Sequence, residues 1–226
     1  MVSKKHPFSH TGFILLALLA CTTAAGHTID FEGLADRELV HTYYKGGHGL
    51  IEDEDGNLVV GTAGTTDLGV TFFPDARVAV SKSVGGSGNF LVGSNPSGSR
   101  VGFFLQVDSG EIGLQVENGF KDQLTFHYSS PYATGAVSLY RPDHTLITSI
   151  VLGVTIDTDP TGIFKFGDWR KITLPFSGTA GYAMLSGDAN KIAFDDIEFV
   201  PVPDAVSSFG LTGMSLALLA CLRRRR

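Results

Sequence analysis

The sequence predicts an all-β protein, a jelly-roll-like antiparallel β-sandwich with a signal helix before it and a transmembrane helix after it. Three observations lead to this prediction. Between residues 28 and 200 the chain sustains no apolar spacing of three and four residues, which an amphipathic helix requires. Short alternating or β-branched runs recur there, separated by turns rich in Gly, Asn, Asp and Pro. Both ends of the 226-residue chain are apolar and carry basic clusters.

Residues 1–25 have the layout of a secretory signal peptide. Lys4 and Lys5 form the basic start, an apolar stretch covers 13–20, and small residues follow before the expected cleavage after Ala25. This apolar stretch is too short to cross about 30 Å of hydrocarbon, which argues against an uncleaved membrane anchor. A second alternative is lipidation at Cys21, because residues 18–21 approach a bacterial lipobox.

The middle of the chain, residues 26–200, is predicted to form one β-sandwich domain of about ten strands. The runs that predict them are 28–31, 69–73, 77–81, 101–107, 112–116, 123–128, 136–140, 146–152, 169–176, 182–186 and 191–200. Turn-forming residues such as Asn118-Gly119 separate them. The segment 43–67 is rich in glycine and acids, and we expect a long excursion from the sandwich there, with a hairpin turn at 54–57.

Charge is segregated along the chain. Residues 26–203 hold 22 acidic and 11 basic residues, a formal charge of −11. The acidic balance argues against nucleic acid as a partner. Both cysteines, Cys21 and Cys221, lie in the apolar ends, so the middle has no disulfide and no thiolate metal site.

Residues 201–226 are predicted to be a membrane-directed tail. The segment 205–222 is 18 residues long and carries no charge, and as a helix it would reach about 27 Å, just enough to span a bilayer. Arg223, Arg224, Arg225 and Arg226 follow it and are expected to stay cytoplasmic.

The tail resembles the PEP-CTERM class of sorting signals, in the variant that begins Val202-Pro203-Asp204. The resemblance consists of this tripeptide, a short spacer, the apolar helix and the terminal arginines; Asp204 stands where Glu is usual. It implies export across the inner membrane of a Gram-negative bacterium, transient membrane anchoring and processing by an exosortase-like enzyme. A plain single-span anchor is the alternative.

The first and last strands resemble the terminal strands of MAM domains and of jelly-roll carbohydrate-binding modules. The residues that carry this resemblance are 30–33 and 192–197. It implies a structural Ca²⁺ where the two strands meet, held by Glu32 with Asp195 or Asp196, since calcium takes hard oxygen ligands. Alternation of apolar and polar residues would also place these acids at solvent-exposed strand edges, and this alternative stays open.

Tyr43, Tyr44 and Tyr132 are the preferred candidates for contacts with a ligand, because they stand in glycine- or proline-flanked loops and flat rings can stack on sugars. Trp169 is expected in the core. No catalytic residue is predicted. The histidines form no H-E-x-x-H pair, and residues 85–89 miss the G-x-S-x-G pattern at the fifth position.

The resemblances imply an exported cell-surface protein that is not an enzyme and that binds or organises extracellular polysaccharide. Two other functions stay open. One is a structural or adhesive matrix protein without a sugar site. The other is a glycan-degrading enzyme, which would need two carboxylates about 5 to 9.5 Å apart in a groove.

Overall fold

The computed structural model describes residues 25–73, 75–104, 111–156, 159 and 161–203. Within them the chain forms these strands: β1 (His27–Ile29), β2 (His48–Glu52), β3 (Leu58–Ala63), β4 (Val70–Phe73), β5 (Ala76–Val80), β6 (Arg100–Phe104), β7 (Glu111–Ser129), β8 (Gly135–Tyr140), β9 (Leu146–Leu152), β10 (Arg170–Gly187) and β11 (Ala193–Pro201). A single 3-10 turn, Lys82–Val84, follows β5 in the described part. The all-β class predicted from the sequence is confirmed.

The predicted signal and sorting segments are not covered by this description. Residues 1–24 and 204–226, with Asp204 and the four arginines, lie outside the described residues. Within the described ranges, no helix has the length and apolar character needed to cross a membrane. Val202 and Pro203 are described, and Val202 N donates to Gly119 O at 2.9 Å where the chain leaves β11.

Two long strands, β7 and β10, run through both sheets of an antiparallel sandwich. In the first sheet, the start of β7 pairs with β4 and with the end of β10, and β8 and β9 follow. In the second sheet, the end of β7 pairs with the start of β10 and with β11, and β6 and β5 follow. The first and last strands meet as expected, because β1 pairs with β11 from His27–Phe199 to Ile29–Ile197.

The sequence predicts separate strands at 112–116 and 123–128, and this prediction is wrong. Asn118-Gly119 is not a turn between strands; it lies inside β7, where Gly119 adopts φ +76°. Opposite Asn118-Gly119 the pairing with β10 shifts register between Ala180 and Tyr182, and β10 has a second shift between Pro175 and Thr179. Such bulges bend a strand without ending it, and they use the same residue types as hairpin turns. The bend carries each long strand from one sheet to the other.

The main core fills the space between the two sheets. Its largest fully buried side chains are Phe31, Phe72, Phe104, Phe120, Phe126, Phe194, Ile29, Leu34, Leu114, Leu124 and Leu139. Phenylalanine rings from the two sheets contact one another edge to face, as Phe31 and Phe72 do at 5.9 Å between centroids. This burial of apolar surface is the main stabilising contribution in the described part.

A second apolar cluster lies on the outer face of the second sheet, and we call it the outer cluster. It consists of Ala79, Phe90, Val101, Phe103, Phe166 and Ala193, with the half-buried Trp169 packed against them. Strand alternation explains it, because Phe104 points into the main core and its neighbour Phe103 points outward. Two connections, 81–99 and 161–169, fold over the cluster and supply Phe90 and Phe166.

The acidic excursion is organised around the β2–β3 hairpin, whose turn at 53–57 matches the predicted Asp-Gly turn. Glu38, itself buried, accepts hydrogen bonds from Thr62 Oγ1 at 2.7 Å and Ala35 N at 2.6 Å. Gly49 and Gly61 leave room for its carboxylate, because a Cβ at either position would overlap Glu38 Oε1. The buried Glu38 carboxylate therefore helps to fasten the hairpin, together with the ion pair of Glu52 with Arg77 of β5 at 2.7 Å.

Candidate functional site

The outer face of the first sheet carries a row of half-exposed aromatic side chains. We call Phe73, Tyr140, His144, Tyr182 and Met184 the aromatic platform; together they line a surface cavity of about 240 Å³. The four members other than His144 stand at outward positions of their strands, since their neighbours Phe72, Leu139, Ala183 and Leu185 are buried in the main core.

Cross-strand register places the members of the platform side by side. Tyr182 lies opposite Tyr140 on one side and opposite Gln115 on the other. Gly113 lies between Phe73 and Met184 in the next row. A Cβ on Gly113 would lie 2.5 Å from the Phe73 ring and 2.8 Å from Met184 Sδ. The missing side chain therefore leaves room for the Phe73 ring and the Met184 thioether over β7.

His144 comes to the platform from the turn between β8 and β9. Its backbone is left-handed, with φ +65°, and its N–H donates to Arg141 O at 2.9 Å. Gly181 lets this turn approach, because a Cβ there would lie 3.0 Å from Pro142 Cα. The imidazole stacks on Tyr182 with 4.5 Å between ring centroids and 23° between ring planes.

The chemistry of the platform is that of stacking combined with hydrogen bonding. Ring faces and a thioether offer polarisable apolar surface, and the tyrosine hydroxyls and the Gln115 amide stand beside it. Gln115 Nε2 donates to Tyr182 Oη at 3.4 Å, which fixes the position of that hydroxyl. A ligand with an apolar face and a polar rim matches such a surface.

Glu32, Tyr43 and Tyr44 lie together in the structure, but at a site separate from the aromatic platform. They line a cavity of about 230 Å³ beside β1, together with Asp30. Tyr43 and Tyr44 are only 9% and 6% exposed, and burial raises the pKa of both phenols. Their hydroxyls donate to Glu32 O at 3.2 Å and to Asp30 Oδ1 at 3.3 Å. The rings belong to the main core, so they offer hydroxyls rather than open faces.

Tyr132, the third predicted ligand contact, is exposed. Half of its surface, 50%, is accessible to solvent. Its ring contacts Phe166 of the outer cluster edge to face, with 6.1 Å between centroids. Tyr132 therefore lies beside the second sheet and apart from the aromatic platform of the first.

Glu32 holds the connection between β5 and β6. Its Oε1 accepts from Ser99 N at 2.7 Å and Arg100 N at 2.8 Å, and Oε2 pairs with Arg100 Nη1 at 2.9 Å. A guanidinium already neutralises this carboxylate. Glu32 thus makes a poor calcium ligand in this arrangement, although it was predicted as one.

Asp195 lies fully buried at the same connection. Its carboxylate accepts from Ser97 N at 3.3 Å, from Ser97 Oγ at 3.4 Å and from Asn95 Nδ2 at 3.5 Å. Burial, reinforced by the charge of Asp196, raises the pKa of Asp195 to about 8. The amide oxygen of Asn95 is buried beside it and has no hydrogen-bond partner in the described part. Asp195 Oδ1 also accepts from Asp196 N at 2.9 Å. The carboxylate therefore has hydrogen-bond donors around it, but within the described residues no cationic side chain pairs with it.

Asp196 does not join Asp195 in one ligand set. It is half-buried, adopts φ +45°, and its charge acts on His127, whose pKa is lowered chiefly by burial. In the described ranges, no three side chains among His, Cys, Asp and Glu are grouped so as to hold a metal ion. Neutral oxygens would have to complete any cation site at Asp195.

No protein-family model matches the chain, and no curated protein matches it significantly. Among solved structures it is similar to the K2 cleaved adhesin domain of Lys-gingipain, with a TM-score of 0.45 and 17% identity over 77% of this chain and 97% of that one. It is also similar to the C-terminal CBM6 of LamC, a laminarinase from Zobellia galactanivorans, with a TM-score of 0.34 and 8% identity over 58% and 98%. A third is the CBM6cm-2 module of Cellvibrio mixtus lichenase 5A, with a TM-score of 0.31 and 10% identity over 57% and 88%.

Phe73, Tyr140 and Tyr182 are absent from the residues predicted as functional, although the sequence carries a signal for them. Each occupies an outward-facing position of its strand, where alternation leads us to expect a polar residue, and each carries a large aromatic ring instead. Tyr140, for example, ends a run in which Val137 and Leu139 take the inward positions. The convergence of the three rings depends on pairing between distant strands, which the sequence pattern does not reveal.

Proposed function

We propose that this protein is a non-catalytic β-sandwich that binds extracellular polysaccharide on its aromatic platform. The observation that carries the proposal is the grouping of Tyr182, Tyr140 and Phe73 on neighbouring strands around one surface cavity, with hydroxyl and amide groups beside the rings. A pyranose ring has apolar C–H faces and a polar edge, and it fits a surface of this kind.

We also propose the route by which the domain reaches its ligand. Residues 1–25 direct export across the inner membrane, and the tail 201–226 anchors the chain until an exosortase-like enzyme processes it at the cell surface. The support lies in the order of the basic, apolar and small residues in these segments.

The binding proposal is tested with the purified chain and a panel of neutral polysaccharides, together with the polysaccharide of the producing organism. Tyr182→Ala and Tyr140→Ala are each expected to weaken binding about tenfold, since a ring that anchors a ligand contributes on the order of 1–2 kcal/mol. Val151→Ser is the matched control, because Val151 is exposed on β9 of the same sheet and stands outside the platform.

Two results would contradict the proposal. One is unchanged binding by both tyrosine variants, which would place the ligand elsewhere. The other is the release of new reducing ends from the polysaccharide during incubation, which would make the protein an enzyme.

A structural Ca²⁺ is a further part of the proposal, and Asp195 is the residue we assign to it. Its buried carboxylate, the unpartnered Asn95 Oδ1 and Ser97 Oγ are hard oxygen donors in one place. Burial favours the protonated form of the Asp195 carboxyl. A bound Ca²⁺ would replace that proton and balance the negative charge of the carboxylate. Calorimetric titration of the chelator-treated chain with CaCl₂ should give saturable binding that Asp195→Asn abolishes; equal heats from the variant would remove the ion from this site.

An adhesive function is the second candidate, and one surface favours it. The β2–β3 hairpin exposes Ile51, Leu58, Val59 and Val60, with Val60 70% accessible. Contiguous exposed apolar groups commonly mark contacts with other proteins. Both an adhesin domain and carbohydrate-binding modules occur among the similar structures, so the choice between the two functions depends on this chain's own surfaces.

A further inference from the structure

A third cavity, of about 140 Å³, lies on the outer face of the second sheet. By the same measure one water molecule needs roughly 10–15 Å³. Phe90, Phe103 and Phe166 of the outer cluster form its apolar wall, and Asn89 and Asn190 add amide groups. The cavity is therefore large enough for a ring-sized polar ligand with one apolar face.

Two cationic side chains line this cavity, in a region that carries a formal charge of −11. Arg37 and Lys82 are both exposed, and neither forms an ion pair within the described residues. Lys82 Nζ donates to Asn89 Oδ1 at 2.5 Å, a neutral partner that leaves its charge uncompensated. These two positive charges are available to an anion.

The backbone holds Arg37 in a fixed and unusual position. Its φ is +65°, a left-handed conformation that residues with a side chain seldom adopt. Arg37 N donates to Val78 O at 2.7 Å, and Arg37 O accepts from Arg77 Nη1 at 3.2 Å, so both backbone groups are tied to β5. The adjacent Asp36 also lies beside the cavity, because its Oδ1 accepts from Val80 N at 2.8 Å and from the cavity-lining Ser87 Oγ at 3.0 Å. These neutral donors leave its negative charge in place, so the two cations face one carboxylate and keep a net positive charge.

We propose that this cavity binds a sugar unit that carries an anionic group, a carboxylate or a sulfate ester, in an acidic polysaccharide. The Arg37 guanidinium offers a planar fork of donors that matches either oxyanion, and the Lys82 ammonium adds a second charge. The three phenylalanines are almost fully buried, so they close the inner side of the cavity and offer little open ring face. Asn89 and Asn190 add amide groups that can bond to the sugar hydroxyls. Tyr132, in contact with Phe166, extends the aromatic surface at this side of the sandwich.

That the ligand is a sugar rests on the proposed function, whereas the recognition of an anion rests on the cavity alone. The cavity and the aromatic platform lie on the outer faces of different sheets. The protein then has two separate sites, one for neutral and one for acidic units, and can bridge two polysaccharide strands.

The test is a calorimetric titration of the full chain at low salt with four ligands. They are a uronic acid oligosaccharide, its carboxyl-reduced neutral form, a sulfated neutral oligosaccharide and inorganic sulfate. The uronate or the sulfated sugar is expected to bind at least about tenfold more tightly than the neutral form, and to weaken as salt is added. The arm that binds more tightly identifies the anionic group.

Arg37→Gln and Lys82→Gln should each remove most of this preference and leave the binding of neutral polysaccharide unchanged. Lys45→Gln is the matched control, because it makes the same change in net charge at an exposed lysine that pairs with Glu117. Near-ultraviolet circular dichroism checks that the variants are folded, and Arg37→Lys should keep part of the preference. The Tyr182→Ala variant should retain it in full, which separates this proposal from the one on the platform.

Three results would overturn the proposal. Equal affinity for the acidic and the reduced oligosaccharide would show that the anion is not recognised. Equal losses in Lys45→Gln would show that only net charge matters. Competition by inorganic sulfate at the concentration of the sugar would show that a bare anion, and not a sugar, fills the cavity.

Discussion

The outer faces of the two sheets use the same alternation of residues with opposite results. On the first sheet, Tyr140 and Tyr182 point outward and stay half-exposed, because only the short turn 141–145 stands above them. On the second sheet, Phe103 also points outward, but the connections 81–99 and 161–169 cover it. Strand alternation decides which way a ring points, and the length of the connections decides whether it becomes a binding surface or part of a second core.

The largest expected effect comes from two neighbouring phenylalanines on opposite faces of β6. Phe104→Ala opens the main core and should lower the free energy of unfolding by about 3–5 kcal/mol. Phe103→Ala removes a ring from the outer cluster and should cost about 2–3 kcal/mol, because mainly the covering connections loosen. Urea unfolding of the two variants checks the difference. Equal losses would mean that the two clusters form a single cooperative core.

Asp195 fastens the 81–99 connection to the second sheet, and its protonation should make that attachment depend on pH. Burial raises its pKa to about 8, whereas an unfolded aspartate titrates near 3.9. The folded state therefore holds an extra proton between about pH 4 and 8, and the free energy of unfolding falls as the pH rises, by up to about 1.4 kcal/mol per pH unit.

Asp195→Asn removes this titration, so the variant should show a smaller loss of stability between pH 5 and pH 8 than the unsubstituted chain. Urea unfolding in EDTA at the two pH values measures it. Added Ca²⁺ at pH 8 should stabilise the unsubstituted chain and leave the variant unchanged. Parallel pH dependences in the two proteins would show that Asp195 titrates normally.

A substitution at Gly113 tests whether the exposed outer face of the first sheet binds the polysaccharide. A methyl group there would meet the Phe73 ring at 2.5 Å and push it off the platform. Gly113→Ala should therefore weaken polysaccharide binding about tenfold and destabilise the fold by roughly 1–3 kcal/mol through overpacking.

Gly153→Ala is the control for this substitution, since a Cβ at Gly153 would meet no atom within 4 Å. It should change neither stability nor binding. If Gly113→Ala binds as well as the unsubstituted chain, the position of the Phe73 ring does not matter for binding and the ligand lies elsewhere.

The sequence predicts much of the fold and little of the site, and particular residues show why. The runs around Val137 and Ile197 alternate, and alternation is a local signal, so these strands were predictable. The meeting of the first strand with the last was expected from the resemblance of the terminal strands to MAM domains and carbohydrate-binding modules, and β1 does pair with β11. The bulge at Asn118-Gly119 was not, since bulges and turns share composition. Tyr43 and Tyr44 stand in a glycine-rich segment typical of a loop, and tertiary packing buries them: Tyr44 contacts Phe31 and Phe72, and Tyr43 contacts Tyr44.

The smallest expected effect comes from a substitution on the third exposed surface, the β2–β3 hairpin. It tests whether the polysaccharide contacts this hairpin or the aromatic platform. Val60 is 70% exposed, so Val60→Ser should change the free energy of unfolding by less than about 0.5 kcal/mol. It removes apolar surface from the patch, and light scattering should therefore show weaker self-association while polysaccharide binding persists. Leu146→Ser, on an exposed residue of β9, is the control for a general gain in solubility. If Val60→Ser instead abolishes polysaccharide binding, the hairpin and not the platform contacts the ligand, and the contrast between the two sheet faces no longer explains the function.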